Sequence, residues 1–553
     1  MISRAQRSGA AVLCLLLAIV HTWPLALNLA HLSRNDNGDA QLNEWILAWV
    51  AHQLPRDPIH LFEANIFYPA HDALAFSEPL IVPAVMGAPL AWIGASPVLV
   101  YNVILIVGFA LTAFATCLLI EAWTGDLLAG LLAGSMFAFN THTLTRLAHI
   151  QGIHIYGLPL ALLAVDAISR GPRSEVGGPT FEVRWPALLL VVSMALMAYT
   201  SGYLVVFAVV MIAVALLTRA PEWWTRAHTV LPQFAVATAM TVVGILPVYL
   251  PYRRVAREQQ MVRTLDSVKD FSATLQGYLA ASGRIHFATW SGRFFKDAVD
   301  SFFPGIIVLA LAGVAVIAAV RTRELRPRVL MLVAIAAVGL VLSLGTATPA
   351  YAVLFHIFPP MQCLRAAARF GNLFLLGIAL LGGIGLAALR SSLQSRGRLQ
   401  AEGLGILLIV LANIESLRAP FEYREFTGVP GIYRLIAQEP DPVVLAEQPF
   451  FPRSAIFENA PYVLNSTAHW RPLMNGYSGY IPASYQKYAD AFWYFPDERA
   501  MRAMKDAGVT HVMVHPQRFM RDAEKVIEQI SARSDMELIA VGSNGIRLYK
   551  LGR

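Results

Sequence analysis

Asn35-Asp36-Asn37-Gly38-Asp39-Ala40-Gln41-Leu42-Asn43-Glu44-Trp45-Ile46-Leu47-Ala48-Trp49 follows directly on an apolar run from Gly9 to Ala30. That run is long enough to span a bilayer, so it reads as a retained first helix and not a cleaved leader, despite Arg4 and Arg7 ahead of it. Asp36, Asp39 and Glu44 then fall within nine residues at what must be a membrane surface. Acidic groups there are not needed for insertion, and they do not set orientation as Lys and Arg do. Beside Trp and amide side chains they form a candidate site.

The rest of the chain fits a membrane setting. Of 553 residues 56% are hydrophobic and 14% charged, with a mean hydropathy of +0.53. Soluble domains carry about 25% charge, so the composition is that of a polytopic membrane protein. The net charge of +7 could suggest a nucleic acid. However, the Arg residues cluster in short loops between apolar spans, as topology signals do, and no nucleic-acid partner is expected. Cys14 and Cys117 lie inside apolar spans and Cys363 lies alone, so neither a disulfide framework nor a metal-ligand spacing follows.

Apolar runs of spanning or near-spanning length fall at about 9–29, 97–120, 127–140, 152–168, 185–199, 203–218, 229–250, 304–320, 329–345, 370–389 and 402–418. Tyr199-Thr200-Ser201-Gly202-Tyr203 could be a turn or a kink in one long helix, and 79–95 could be a re-entrant or interfacial piece. With a cytoplasmic N-terminus, the inside loops hold Arg170/Arg173/Arg184, Arg219/Arg226, Arg321/Arg323/Arg326/Arg328 and Arg390/Arg396/Arg398. The positive-inside rule then puts 30–96, 141–151, 251–303, 346–369 and everything after about 419 on the outer face. Loop 251–303 is cation-rich all the same, with Arg253, Arg254, Arg257, Arg263, Lys269, Arg284, Arg293 and Lys296. Long loops translocate largely regardless of charge, so those cations need another explanation. The expected domains are therefore 1–418, membrane-embedded, and 419–553, an extracytoplasmic α/β domain. In the latter, Val443 to Ala446, Val509 to Val514, Leu538 to Val541 and Ile546 to Tyr549 read as strands. Glu498 to Ala507, closed by Gly508, and Arg521 to Ala532 read as helices.

In the first loop Leu42, Trp45, Ile46 and Trp49 repeat at helical spacing. The spacing predicts a helix over 40–53 along the membrane interface, with Asp39 at its N-cap. Capping alone would account for Asp39; Asp36 and Glu44 close by make it a candidate base. Asn65, Tyr68, His71 and Glu78 could hydrogen-bond a sugar against Phe67 or Phe76. In the second loop Arg146, His149 and Gln151 stand between two spans, where ionisable groups usually face a cavity or partner. Arg365 and Arg369, spaced i, i+4 at the mouth of a span, could clamp a lipid phosphate or meet anionic headgroups. No nucleotide-phosphate loop, HExxH or GxSxG is present. No cofactor is expected, with a divalent metal left open.

These stretches (Asn37-Gly38-Asp39 through Trp49, Asn65 to Pro69, Phe76-Ser77-Glu78, Arg146-xx-His149-x-Gln151 and Arg365-xxx-Arg369-Phe370) resemble GT-C superfamily membrane glycosyltransferases. Within that superfamily they look like an uncharacterised bacterial YfhO-like branch. The resemblance covers roughly residues 1–418, with a familiar patch around Leu464 to Pro472. It implies an α-helical polytopic membrane protein of about 11 to 13 spans whose first extracytoplasmic loop bears a catalytic acid. It also implies sugar transfer, usually inverting, from a polyprenyl-phosphate donor to a cell-envelope glycan or lipid, at the bacterial inner membrane. Carried onto this chain, Asp39 takes the position of general base. Apart from the resemblance, Arg146, Arg365 and Arg369 are inferred to stabilise the donor phosphate, and Asp36, Glu44, Asn65, Tyr68, His71, Glu78, His149 and Gln151 to bind substrate. The first loop departs from better-known members in having Gly38-Asp39-Ala40 in place of an Asp-Glu pair. The tail lacks the Trp-Trp-Asp-Tyr-Gly signature of oligosaccharyltransferases. A non-catalytic binder or transporter of polyprenyl-linked glycans is the rival expectation.

Overall fold

Each apolar run becomes a helix, because in lipid a backbone satisfies its polar groups most readily within its own segment. The computed structural model describes residues 3–34, 37–170, 185–261, 263–295, 301–394 and 397–552. Asp36 and the topology cations Arg173, Arg184, Lys296 and Arg396 lie outside them. In chain order the helices are α1 (Arg4–His21), α2 (Gly38–Gln53), α3 (Ile81–Trp92), α4 (Pro97–Thr124), α5 (Leu127–Ala138), α6 (Gly157–Arg170), α7 (Trp185–Ala198) and α8 (Gly202–Thr218). Then come α9 (Ala227–Glu258), α10 (Ile306–Arg321), α11 (Arg326–Ser343), α12 (Gly371–Gln394) and α13 (Arg398–Ser416). Among the described residues six helical stretches are long and apolar enough to cross a membrane, and five more are shorter apolar helices. The 199–203 stretch is a true break, since the Ser201 side chain caps α8 by accepting from the Tyr203 N–H.

By compactness the chain forms two units. One comprises Met1–Leu27, Ile104–Val248 and Val262–Glu422; the other comprises Asn28–Val103, Tyr249–Met261 and Tyr423–Arg553. The first loop thus groups with the tail, whereas the sequence boundary was drawn at 418/419.

In the first unit α12 packs against α5, α10, α11 and α13. Lipid supplies no hydrophobic drive between helices, so close backbone contact has to. A Cβ on Gly377 would stand 2.8 Å from the Leu332 carbonyl of α11, and one on Gly383 2.9 Å from Ala133 of α5. One on Gly385 would overlap the Leu311 carbonyl of α10. At one end of this bundle the fully buried Asp166 of α6 gathers three cations. Arg170 approaches to 2.5 Å and Arg328 to 3.5 Å, Arg219 pairs with it directly, and the Trp123 indole donates at 2.9 Å. Removing one partner of a buried pair strands the other charges at a cost of about 3–5 kcal/mol. Asp166→Ala is therefore expected to lower the thermal midpoint in detergent sharply. Arg398→Gln, which breaks a pair whose Arg side chain is 86% exposed, should leave it nearly unchanged.

The second unit holds a two-residue ribbon, β1 (Leu32–Ser33) against β2 (Arg424–Glu425), and a four-stranded sheet. That sheet is built from β3 (Leu445–Gln448), β4 (His511–Val514), β5 (Met536–Val541) and β6 (Arg547–Leu551), in the order β3-β4-β6-β5. β3 and β4 run parallel, the other pairs antiparallel. β3 and β4 are buried at every position, including the polar Glu447, Gln448 and His511. Gly508, at φ +79°, ends the helix Glu498–Asp506 as expected. Residues 65–68 of the first loop lie along 471–475: Leu473 N–H donates to Asn65 O, Tyr68 N–H to Leu473 O and Phe67 N–H to Asn475 O, at 2.7 to 3.1 Å.

α2 departs from its expectation. Its cap is Asn37, whose side-chain oxygen accepts from the Asp39 N–H at 2.8 Å, so Asp39 sits in the first turn. It does not lie on a lipid surface either. Trp45 is 1% and Trp49 5% exposed, and the helix packs between α3 and the short helix Ala460–Asn465. The two indoles stack on each other, and Trp49 meets Trp470.

His469, next to that aromatic group in sequence, is buried and accepts the Arg471 N–H through Nδ1 at 2.9 Å. Burial, with Arg471 second, pushes its pKa down to about 3. The unfolded chain takes up this proton near pH 6.5 and the folded one only near 3. Stability should thus fall as pH drops through that window, by up to about 1.4 kcal/mol per unit. His469→Asn should flatten the dependence of the full chain's unfolding midpoint between pH 7 and 4.

Candidate functional site

Two polar groupings stand out, one within each unit. In the second unit the Asp39 carboxylate, half-buried in the first turn of α2, accepts a 2.6 Å hydrogen bond from the Tyr477 hydroxyl. Two glycines make room for this. A Cβ on Gly38 would press on the Tyr477 ring at 3.3 Å, and one on Gly476 would meet the Phe67 ring at 2.5 Å. A carboxylate that accepts from a phenol at a helix N-terminus is a preorganised acceptor for a proton, and the helix end favours its negative charge. One turn on, the fully buried Glu44 accepts from the Ser33 hydroxyl at 3.1 Å.

Asn65 donates its amide to the Arg471 carbonyl at 3.2 Å, and the Tyr68 backbone is held by Leu473. His71 is exposed and faces Glu63 at 3.4 Å. Glu78 is half-buried.

In the first unit a cleft is lined by Arg146, His149, Gln151 and Arg369, joined by His142, Ser201, Tyr203 and Asn372. Arg146 and His149 stand on a turn closed by His149 N–H to Arg146 O at 2.9 Å, and both line the same space. Arg365 and Arg369 do not share a helical face. The Tyr203 hydroxyl accepts both the Arg365 and the Ala366 N–H at 3.1 Å, which keeps that segment out of a helix. Arg365 stacks on Phe271 and is not among the cleft-lining residues, whereas Arg369 stacks on the Tyr203 ring at 4.4 Å.

His142 is buried and stacked on Phe302. Burial first, then Arg146, Arg369 and His149, hold its pKa well below the usual range. It stays neutral, and the cleft's positive charge is that of its arginines. The space for water-sized groups is about 30 Å³. One water needs roughly 10–15 Å³ by that measure, so the space is enough for a phosphoryl group's oxygens. Among the described residues no group of three or more His, Cys, Asp or Glu could hold a metal ion.

Tyr477 and Asn372 are not among the residues the sequence singles out, and Tyr203 enters there only within the 199–203 break. Asn372 carried a readable signal, standing three residues after Arg369. The cleft makes a direct expectation: inorganic phosphate should raise the thermal midpoint of the purified protein. Arg146→Gln/Arg369→Gln should abolish the rise, while Arg365→Gln leaves it in place.

No family model matches the sequence, and no curated protein matches it either. Solved structures do match. They include the arabinofuranosyltransferase AftD from Mycobacteria, with a TM-score of 0.60 at 14% identity over 100% of this chain and 42% of that one. ArnT from Cupriavidus metallidurans bound to undecaprenyl phosphate matches with a TM-score of 0.52 at 14% identity, over 98% of each chain. The oligosaccharyltransferase AglB from Archaeoglobus fulgidus, in complex with an inhibitory peptide and a dolichol-phosphate, matches with 0.50 at 10% identity, over 99% of this chain and 74% of that one. At these identities the likeness is one of fold. The chain has the GT-C membrane glycosyltransferase fold, with a small C-terminal sheet.

Proposed function

We propose that this protein is a membrane glycosyltransferase that moves a sugar from a polyprenyl-phosphate donor to a cell-envelope glycan or lipid on the outer face of the inner membrane. The observation that carries the reading is the Asp39 carboxylate held by Tyr477, on a fold shared with transferases solved with undecaprenyl phosphate and dolichol-phosphate. In the proposed step Asp39 takes the proton of an acceptor hydroxyl as that oxygen attacks the anomeric carbon. The bond from that carbon to the phosphate oxygen breaks, and its electron pair leaves with the phosphate. Attack opposite the departing phosphate inverts the anomeric centre. Arg146 and Arg369, with the Tyr203 hydroxyl beside them, take the developing phosphate charge. Glu44, His149 and Gln151 are positioning groups in this reading. The tail from about 419 and the loop 30–96 stand on the acceptor side of the membrane.

The test combines two measurements. Lipids co-purifying with the protein under mild extraction should include a polyprenyl phosphate or its glycoside by mass spectrometry. Asp39→Asn should retain that lipid and the wild-type thermal midpoint, but turn over at least about a hundredfold more slowly. Tyr477→Phe should slow turnover less, because the carboxylate remains. Full turnover by Asp39→Asn would remove this residue from the mechanism, and bulk phospholipid alone in the extract would remove the donor class.

A further inference from the structure

The cations at the end of α9 have no part in this transfer. α9 is apolar and largely uncovered: only 17% of its most apolar stretch is buried, and Leu231, Val242, Val243, Leu246 and Leu250 all lie exposed. Its last two turns carry Arg253, Arg254 and Arg257. The Arg254 guanidinium forks onto Asp72, Nε to Oδ2 and Nη2 to Oδ1, both at 2.8 Å, so its charge is committed and its side chain fixed. Arg253 and Arg257, one turn apart on one face and exposed, have no carboxylate partner among the described residues. With Leu250 and Arg254 they line an open cleft of about 250 Å³. The helix dipole favours cations within the last turn. Arg253 lies before that turn, and the dipole does not explain a cleft.

We propose that this cleft binds the phosphodiester headgroup of an anionic glycerophospholipid, whose acyl chains run along the exposed apolar side of α9. A guanidinium presents a fork that matches two phosphate oxygens. Two such forks with uncommitted charge, a fixed third side chain as wall and an apolar Leu at the mouth fit a headgroup that is charged at one end and oily at the other. The fork also gives Arg253 and Arg257 a purpose that lysines would serve less well.

The test uses the purified full chain, delipidated and returned to phosphatidylcholine nanodiscs holding one-tenth phosphatidylglycerol, with retained lipids counted by native mass spectrometry. The ratio of retained phosphatidylglycerol to phosphatidylcholine should exceed the ratio in the disc roughly ten- to thirtyfold, the factor two interfacial cations supply. Arg253→Gln/Arg257→Gln should lose that enrichment, Arg253→Lys/Arg257→Lys should keep part of it, and Arg398→Gln should keep all of it. Full enrichment in the double Gln variant overturns the proposal, as does equal retention of phosphatidylcholine. So does displacement of phosphatidylglycerol by a polyprenyl phosphate at equal mole fraction, which would make the cleft a carrier site. None of these readouts requires sugar transfer, so the proposal stands or falls apart from the transferase reading.

Discussion

A carboxylate with no access to water has to be neutralised where it stands, and Asp166 is neutralised by Arg170, Arg219 and Arg328 at once. Arg219 is itself buried to 2% exposure and shared with Glu222. Bare charges at such a site would cost several kcal/mol each, so the cluster exists only as a whole. It pins the ends of α6, α8 and α11 to one another. The same arginines that bias insertion by their sign are thus, once folded, the counterions of a single acid. Where these helices end is fixed by that acid as much as by hydropathy.

What the sequence made legible follows from the range of the forces involved. Hydropathy acts segment by segment, so all eleven apolar runs could be read, down to the break at Ser201. The strands of the tail were legible from short stretches such as Val443 to Ala446 and Val509 to Val514, although β3 itself runs on into the buried Glu447 and Gln448. The Gly508 stop was legible because few other residues take its backbone angles. Contacts that depend on distant partners were not legible. Nothing near Asp39 announces Tyr477, and a periodic Leu-Trp-Ile-Trp pattern looks the same whether the partner is lipid or protein, which is why α2 was laid on a membrane surface. Arg365 and Arg369 failed as a pair for a similar reason: one remote hydroxyl, that of Tyr203, takes two backbone donors and undoes the helix that would have aligned them.

The first unit offers guanidinia around a small cavity, and the second a carboxylate that accepts from a phenol. Burial holds the His142 pKa well below its usual range, so His142 itself adds no charge to the cleft where histidines ordinarily titrate.

The hydrogen bond from Tyr477 to Asp39 joins residues 438 positions apart, and the β1–β2 ribbon and the 65–68 segment likewise find their partners in the last quarter of the chain. At translation rates of 5–20 residues per second, α2 and the loop behind it wait roughly 20–90 s for those partners to be made. Through that interval Trp45, Trp49 and Phe67 have none of their final neighbours from the tail. The protein is assembled back to front in this region, and its earliest loop is among the last to acquire its structure. A ribosome stalled short of Tyr477 would leave a complete set of membrane helices carrying an unfinished loop, a natural substrate for chaperones and proteases that survey the membrane.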